Sequence, residues 1–134
     1  MKKTIYAAVL FLTIGIAATS CKKDNTTKPS PTIVGYWVGK YGNGSGAATS
    51  PYAFLFKADG SVNVYANKTD TALASKAVGT YSVAGTTVNT TFTYPSAAAQ
   101  YSTISYADSS FTTMSGTWGS GLSTTGNTFF LNKK

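Results

Sequence analysis

From Ile33 onward, apolar and polar positions alternate, and no stretch of ten or more residues keeps a helical spacing. Tyr52, Phe54 and Phe56 fall on one side of an extended chain, with Ala53 and Leu55 between them. Val62 and Val64 alternate with Ser61 and Asn63. Val88, Thr90, Phe92 and Tyr94 share one face, and Thr87, Asn89, Thr91 and Thr93 share the other. Phe129 and Leu131 repeat the pattern near the C-terminus. A period of two with one polar side marks a strand that buries one face.

Turn residues separate these runs. Lys57-Ala58-Asp59-Gly60 carries an Asp-Gly pair, whose glycine takes the positive φ of a tight hairpin without steric cost. Ala84-Gly85 and Ala107-Asp108-Ser109-Ser110 divide the later runs. Eight strands are predicted, at 33–41, 51–57, 61–67, 77–84, 86–94, 100–107, 110–118 and 127–132. Short links between successive strands predict an all-β, up-and-down antiparallel meander. Eight such strands can close into a barrel, which removes exposed edges. A partly open barrel or a two-sheet β-sandwich is the alternative architecture.

The N-terminal part follows a different pattern. Lys2 and Lys3 precede an apolar run from Ile5 to Ala18, which is followed by Thr19-Ser20-Cys21-Lys22-Lys23-Asp24. A transmembrane helix needs about 20 apolar residues, and this run stops short of that. The three-part pattern is that of a signal peptide, at 1–20. A cysteine at the cleavage point can accept a diacylglycerol through its thiolate. Ala18-Thr19-Ser20-Cys21 resembles the bacterial lipobox, and Cys21-Lys22-Lys23-Asp24 is similar to the start of Bacteroidetes-type lipoproteins. The resemblance implies that Cys21 is acylated, with palmitate-like chains, and that the protein is anchored in the outer membrane, facing the periplasm or the cell surface. Two or more chains suffice for stable attachment. Residues 21–31 are polar, contain Pro29 and Pro31, and read as a flexible tether to a domain at 32–134.

Composition narrows the chemistry. The 134 residues include 11 basic and 4 acidic side chains, no histidine and one cysteine. A His-centred triad, a His-ligated metal site and an internal disulfide are therefore excluded. Neither a metal nor a cofactor is expected. The net charge of +7 is concentrated at the two ends of the chain. Between Thr32 and Leu131, Lys40, Lys57, Lys68 and Lys76 nearly balance Asp59, Asp70 and Asp108. A nearly neutral domain without arginine is not expected to bind nucleic acid. Asp59 and Asp108 fit turn roles, and no carboxylate pair has a spacing that makes it converge for acid–base work. Gly119-Ser120-Gly121 lies in a turn with no histidine to activate its serine. No enzymatic activity is expected.

Three Gly-x-aromatic triplets stand out: Gly35-Tyr36-Trp37, Gly79-Thr80-Tyr81 and Gly116-Thr117-Trp118. They fit either rings covering glycines on neighbouring strands or an aromatic ligand pocket. Trp37, Tyr81, Trp118, Phe54 and Phe92 are the candidate ligand-binding residues. Gly35-Tyr36-Trp37, opening the first strand, resembles the Gly-x-Trp signature of lipocalins and their calycin relatives. Met114-Ser115-Gly116-Thr117-Trp118-Gly119 followed by Gly126-Asn127-Thr128-Phe129 is similar to the C-terminal pattern of small lipocalin-like lipoproteins of the Bacteroidetes type. The resemblance implies an eight-stranded barrel with Trp37 closing its floor and Lys133 packed on that ring. It also implies non-catalytic binding of a small apolar or glycan ligand in the cell envelope. The chain departs from the family in lacking a disulfide pair, a C-terminal helix pattern and the middle Thr-Asp-Tyr turn. The alternative is a protein-binding envelope component or peptidase inhibitor, acting through the 42–50, 67–76 and 119–126 loops at one barrel end. Asp70-Thr71-Ala72 resembles an O-glycosylation site of Bacteroidetes envelope proteins, which would place a glycan on Thr71.

Overall fold

The computed structural model describes residues 30–134. The signal segment 1–20, the acylation position Cys21 and the tether as far as residue 29 lie outside the described residues. Eight strands follow one another: β1 (Gly35–Gly42), β2 (Ser50–Phe56), β3 (Ser61–Ala66), β4 (Ser75–Ala84), β5 (Thr87–Tyr94), β6 (Ala99–Ala107), β7 (Thr113–Ser120) and β8 (Asn127–Lys133). Each pairs antiparallel with the next, and β8 returns to pair with β1, so the sheet closes into a barrel. The closed barrel replaces both the partly open and the sandwich alternatives.

Alternation decides which side chains fill the barrel. Phe54 sits opposite Trp37 on one side and Val64 on the other, and Val64 sits opposite Ala77. Thr103 lies between Thr90 and Trp118, and Leu131 lies between Gly39 and Met114. Trp37, Phe54, Phe56, Val62, Val64, Phe92 and Leu131 are fully buried. The outward positions of β5 (Thr87, Asn89, Thr91, Thr93) and of β7 (Thr113, Ser115, Thr117) are polar. On these two strands the outer face is polar, the reverse of a strand that faces lipid.

Closure requires the strands to tilt. Followed through the paired residues, the level of Gly35 passes through Phe56, Val62, Gly79, Phe92 and Tyr101 to Ser120, the last residue of β7. Two triplet glycines serve this geometry. Gly79 faces Phe92 and Gly116 faces Phe129. A Cβ on Gly79 would overlap the Thr91 carbonyl, and one on Gly116 the Ile104 carbonyl. Both positions therefore exclude a side chain.

Strand ends differ from the sequence expectation in two instructive places. β1 starts at Gly35 rather than 33, because Ile33 tucks beneath the barrel as part of the buried core. β7 starts at Thr113 rather than 110. Asp108 holds the preceding residues in a turn, accepting from the Thr112 and Thr113 amides at 2.6 and 2.7 Å and from the Thr112 hydroxyl at 2.9 Å.

Candidate functional site at the open end

The two ends of the barrel are built differently. The floor carries the β2–β3, β4–β5 and β6–β7 turns and the entry of the chain. Trp37 closes it: the ring is wholly buried, and its Nε1 donates to the Ile33 carbonyl at 2.8 Å. Lys133 Nζ lies 5.8 Å from the Trp37 ring centroid, within cation–π range, and donates to the Thr32 carbonyl at 2.6 Å. Gly35 makes room for this lysine. Its φ of 133° suits glycine, and a Cβ there would come within 2.9 Å of Lys133 Cε. Phe56 meets Trp37 edge-on at 6.4 Å, and Tyr81 meets Phe56 at 4.9 Å. The Tyr81 hydroxyl donates to the Lys57 carbonyl at 2.7 Å.

The floor turns are tied by carboxylates. Asp59 accepts from the Ser61 hydroxyl at 2.6 Å and the Ser61 amide at 2.9 Å, and these bonds hold its carboxyl below the usual range. The Thr113 and Thr112 bonds hold Asp108 at about 2. Asp70 lies at the opposite end, in the β3–β4 loop, where it accepts from the Ala72 amide at 2.8 Å.

The mouth is bordered by the β1–β2, β3–β4, β5–β6 and β7–β8 connections. It holds a cavity of about 250 Å³ lined by Tyr41, Tyr52, Phe92, Tyr94, Tyr101 and Trp118 together with Ala66, Asn67, Ser75, Ser96, Ala97 and Ala99. The aromatic side chains support one another. Tyr41 touches Tyr52 at 5.1 Å and Trp118 at 5.8 Å, and Tyr101 touches both Trp118 and Tyr94 at 5.8 Å. Beneath them, Phe54 stacks on Phe129 at 5.8 Å and fills the middle of the barrel. The barrel is thus filled at its floor and waist and open at its top.

One tyrosine is pinned and the others are not. The Tyr41 hydroxyl donates to Asn67 Oδ1, and the Asn67 amide reaches Ser75 Oγ at 3.4 Å. Asn67 adopts φ 73°, a left-handed conformation that asparagine tolerates better than most residues. The hydroxyls of Tyr52, Tyr94 and Tyr101 make no hydrogen bond among the described residues, and Trp118 Nε1 is buried without a partner there. Burial pushes the Tyr52 and Tyr94 hydroxyls well above the usual tyrosine range, with neighbouring tyrosines adding to the shift. They stay protonated at neutral pH.

The β7–β8 loop leaves the mouth uncovered because it is strapped to the outside of the barrel. Ser102 Oγ, on the outer face, donates to the Gly121 carbonyl at 2.7 Å, and Thr117 Oγ1 donates to the Thr124 carbonyl. A Cβ on Gly119 would meet the Ser123 and Thr125 carbonyls at 2.7 Å, so the strap depends on that glycine.

Of the five residues predicted to bind ligand, Trp118 and Phe92 line the mouth. Phe54 is fully buried one layer below, touching Tyr52 at 4.8 Å and Phe92 at 6.0 Å. Trp37 and Tyr81 lie in the floor with their polar atoms engaged, so the five do not form one cluster. Tyr41, Tyr52, Tyr94 and Tyr101 were not singled out by the triplets. Their sequence signal is positional: each is an aromatic on the inward face at the strand end bordering a mouth connection. Thr71 is exposed in the β3–β4 loop. Cys21 lies outside the described residues. No family model, curated protein or solved structure matches this chain.

Proposed function

We propose that this chain is a lipid-anchored outer-membrane protein, a small lipocalin-like lipoprotein of the Bacteroidetes type. Its non-catalytic barrel binds a small apolar or glycan ligand in the envelope. The observation that carries the binding reading is the aromatic cavity of about 250 Å³ at one end of an otherwise filled barrel. Aromatic walls with a few polar groups are the usual lining of a small-molecule site. The floor arrangement of Trp37 and Lys133 fits the lipocalin-like resemblance.

Orientation follows from the same reading. The chain enters through Ile33, whose carbonyl bonds the floor tryptophan. With Cys21 acylated, the anchor attaches at the floor, and the mouth opens on the end farther from that attachment. The ligand then arrives from the solvent side or from a neighbouring envelope component.

Native mass spectrometry of the Cys21→Ser protein, before and after denaturing extraction, tests the binding reading. A bound species of discrete mass that is lost on extraction is expected. Identical masses in both preparations, together with no binding from an envelope lipid and glycan extract, would contradict it. A second reading, binding of an envelope protein or peptidase through the loops, is favoured by Leu73 and Leu122, which are 72% and 84% exposed. It predicts that replacing both leucines with serine abolishes binding while Trp118→Ala leaves it intact.

A further inference from the structure

We infer that the mouth takes an uncharged ligand built on a six-membered ring that carries hydroxyl groups, and that it discriminates against carboxylates and ammonium ions of similar shape. This rests on the mouth-binding reading above and narrows it to a ligand class.

The first observation is a closed circuit of rings. Tyr52 leads to Tyr41 at 5.1 Å, Tyr41 to Trp118 at 5.8 Å, and Trp118 to Tyr101 at 5.8 Å. Tyr101 then leads to Phe92 at 6.0 Å, Phe92 to Phe54 at 6.0 Å, and Phe54 back to Tyr52 at 4.8 Å. Five of these six rings line the cavity and Phe54 lies beneath them, so the wall offers apolar contact to one flat ring. Apart from Phe92–Tyr101, the neighbours meet at 57° to 78°, so many electron-rich faces are already turned toward a neighbour's edge. Less face remains for a cation than in an open aromatic cage.

The second observation is charge. None of the twelve residues lining the cavity is acidic or basic. An ion entering it would shed water and meet no counter-charge, which is unfavourable. The buried tyrosine hydroxyls stay protonated and supply no anion.

The third observation points to hydroxyls on the ligand. Thr90 and Thr103, 3% and 1% exposed, face one another across β5 and β6, and Thr103 also faces Trp118. Thr90 Oγ1, Thr103 Oγ1 and Trp118 Nε1 are buried without partners among the described residues. By strand register their residues form one row, with Thr90 and Thr103 one inward position below Phe92 and Tyr101. Unpaired buried polar groups cost stability, and core packing alone gives no reason to keep three of them side by side. Of the three residues Trp118 lines the cavity, and a ligand hydroxyl reaching its Nε1 supplies the missing partner at the top of this row.

The two tryptophans provide a built-in test. In ¹H–¹⁵N spectra of the Cys21→Ser protein, the two indole N–H signals report on opposite ends, and Trp37→Phe assigns them. Benzyl alcohol, benzoate, benzyltrimethylammonium and methyl β-glucoside are titrated separately. The expected result is a saturable shift of the Trp118 signal, with Trp37 still, for benzyl alcohol, methyl β-glucoside or both. Which of them binds decides between an aromatic alcohol and a sugar as the source of the ring. Benzoate and the ammonium should bind about tenfold more weakly or worse than the better neutral probe. A charged probe that binds as tightly as the better neutral one would overturn the ligand class while leaving mouth binding intact. If no probe moves Trp118, and no envelope extract does so either, the mouth-binding reading falls and this inference with it.

Discussion

The floor and the mouth use the same residue types to opposite ends. Each has a tryptophan at an inward strand position, at least one tyrosine and a nearby glycine triplet. At the floor every such polar atom is engaged: Trp37 Nε1 with Ile33, the Tyr81 hydroxyl with Lys57, and Lys133 Nζ with Thr32. At the mouth Trp118 Nε1 is unpartnered, and three of the four tyrosines that line the cavity make no hydrogen bond among the described residues. An aromatic ring stabilises a fold when its neighbours complete it. The same ring is available for recognition when its polar atom and part of its surface are left for another molecule. Gly-x-aromatic spacing alone does not distinguish the two; the register and the turns do.

The largest effect is expected from Trp37→Ala. Removing a fully buried indole should cost about 3–5 kcal/mol in chemical denaturation, and the chain would be at or near the limit of folding. Trp118→Ala should cost less, because its ring is only half-buried, while removing ligand binding. Equal losses of stability would erase the distinction between the ends.

Gly79→Ala comes next. Its new methyl meets backbone rather than a movable side chain, so overpacking should cost about 1–3 kcal/mol with the mouth chemistry unchanged. Lys133→Met keeps the aliphatic contact with the floor but removes one hydrogen bond and the cation–π contact. A loss of about 1 kcal/mol in thermal or urea unfolding is expected, with no change in binding.

Two smaller effects sharpen the contrast. Tyr94→Phe should leave stability within about 0.5 kcal/mol and weaken only ligand binding. Asp108 acts at the floor through pH. Its folded carboxyl sits at about 2, below its ordinary 3.8, so the unfolded chain binds its proton more readily. Its stabilising contribution is present above pH 4 and is lost as the pH falls toward 2. Asp108→Asn should be less stable than the parent at neutral pH, and the gap should close across that window in acid denaturation curves.

Much of the fold was legible in the chain. Strict alternation in Tyr52–Phe56, Val62–Val64 and Val88–Tyr94 gave the inward faces, and Asp59-Gly60 gave a tight hairpin. Eight strands with short links pointed to the closed barrel. The start of β7 was less legible, because Asp108 holds Thr112 and Thr113 through side-chain bonds that alternation cannot reveal. The site was legible only in part. Trp37 and Trp118 both follow a Gly-x spacing, and the closing β1–β8 register sends Trp37 to the floor beside Lys133. Tyr41 and Tyr101 become neighbours of Trp118 through tilt and closure, which depend on the whole ring of strands rather than on local sequence.

On the reading proposed above, ligand binds at the mouth and not at the floor. Native mass spectrometry of the Cys21→Ser protein beside its Trp118→Ala and Lys133→Met variants tests this most directly. A bound species present on the parent and on Lys133→Met but missing from Trp118→Ala is the predicted result. A species retained by Trp118→Ala and lost from Lys133→Met would contradict it.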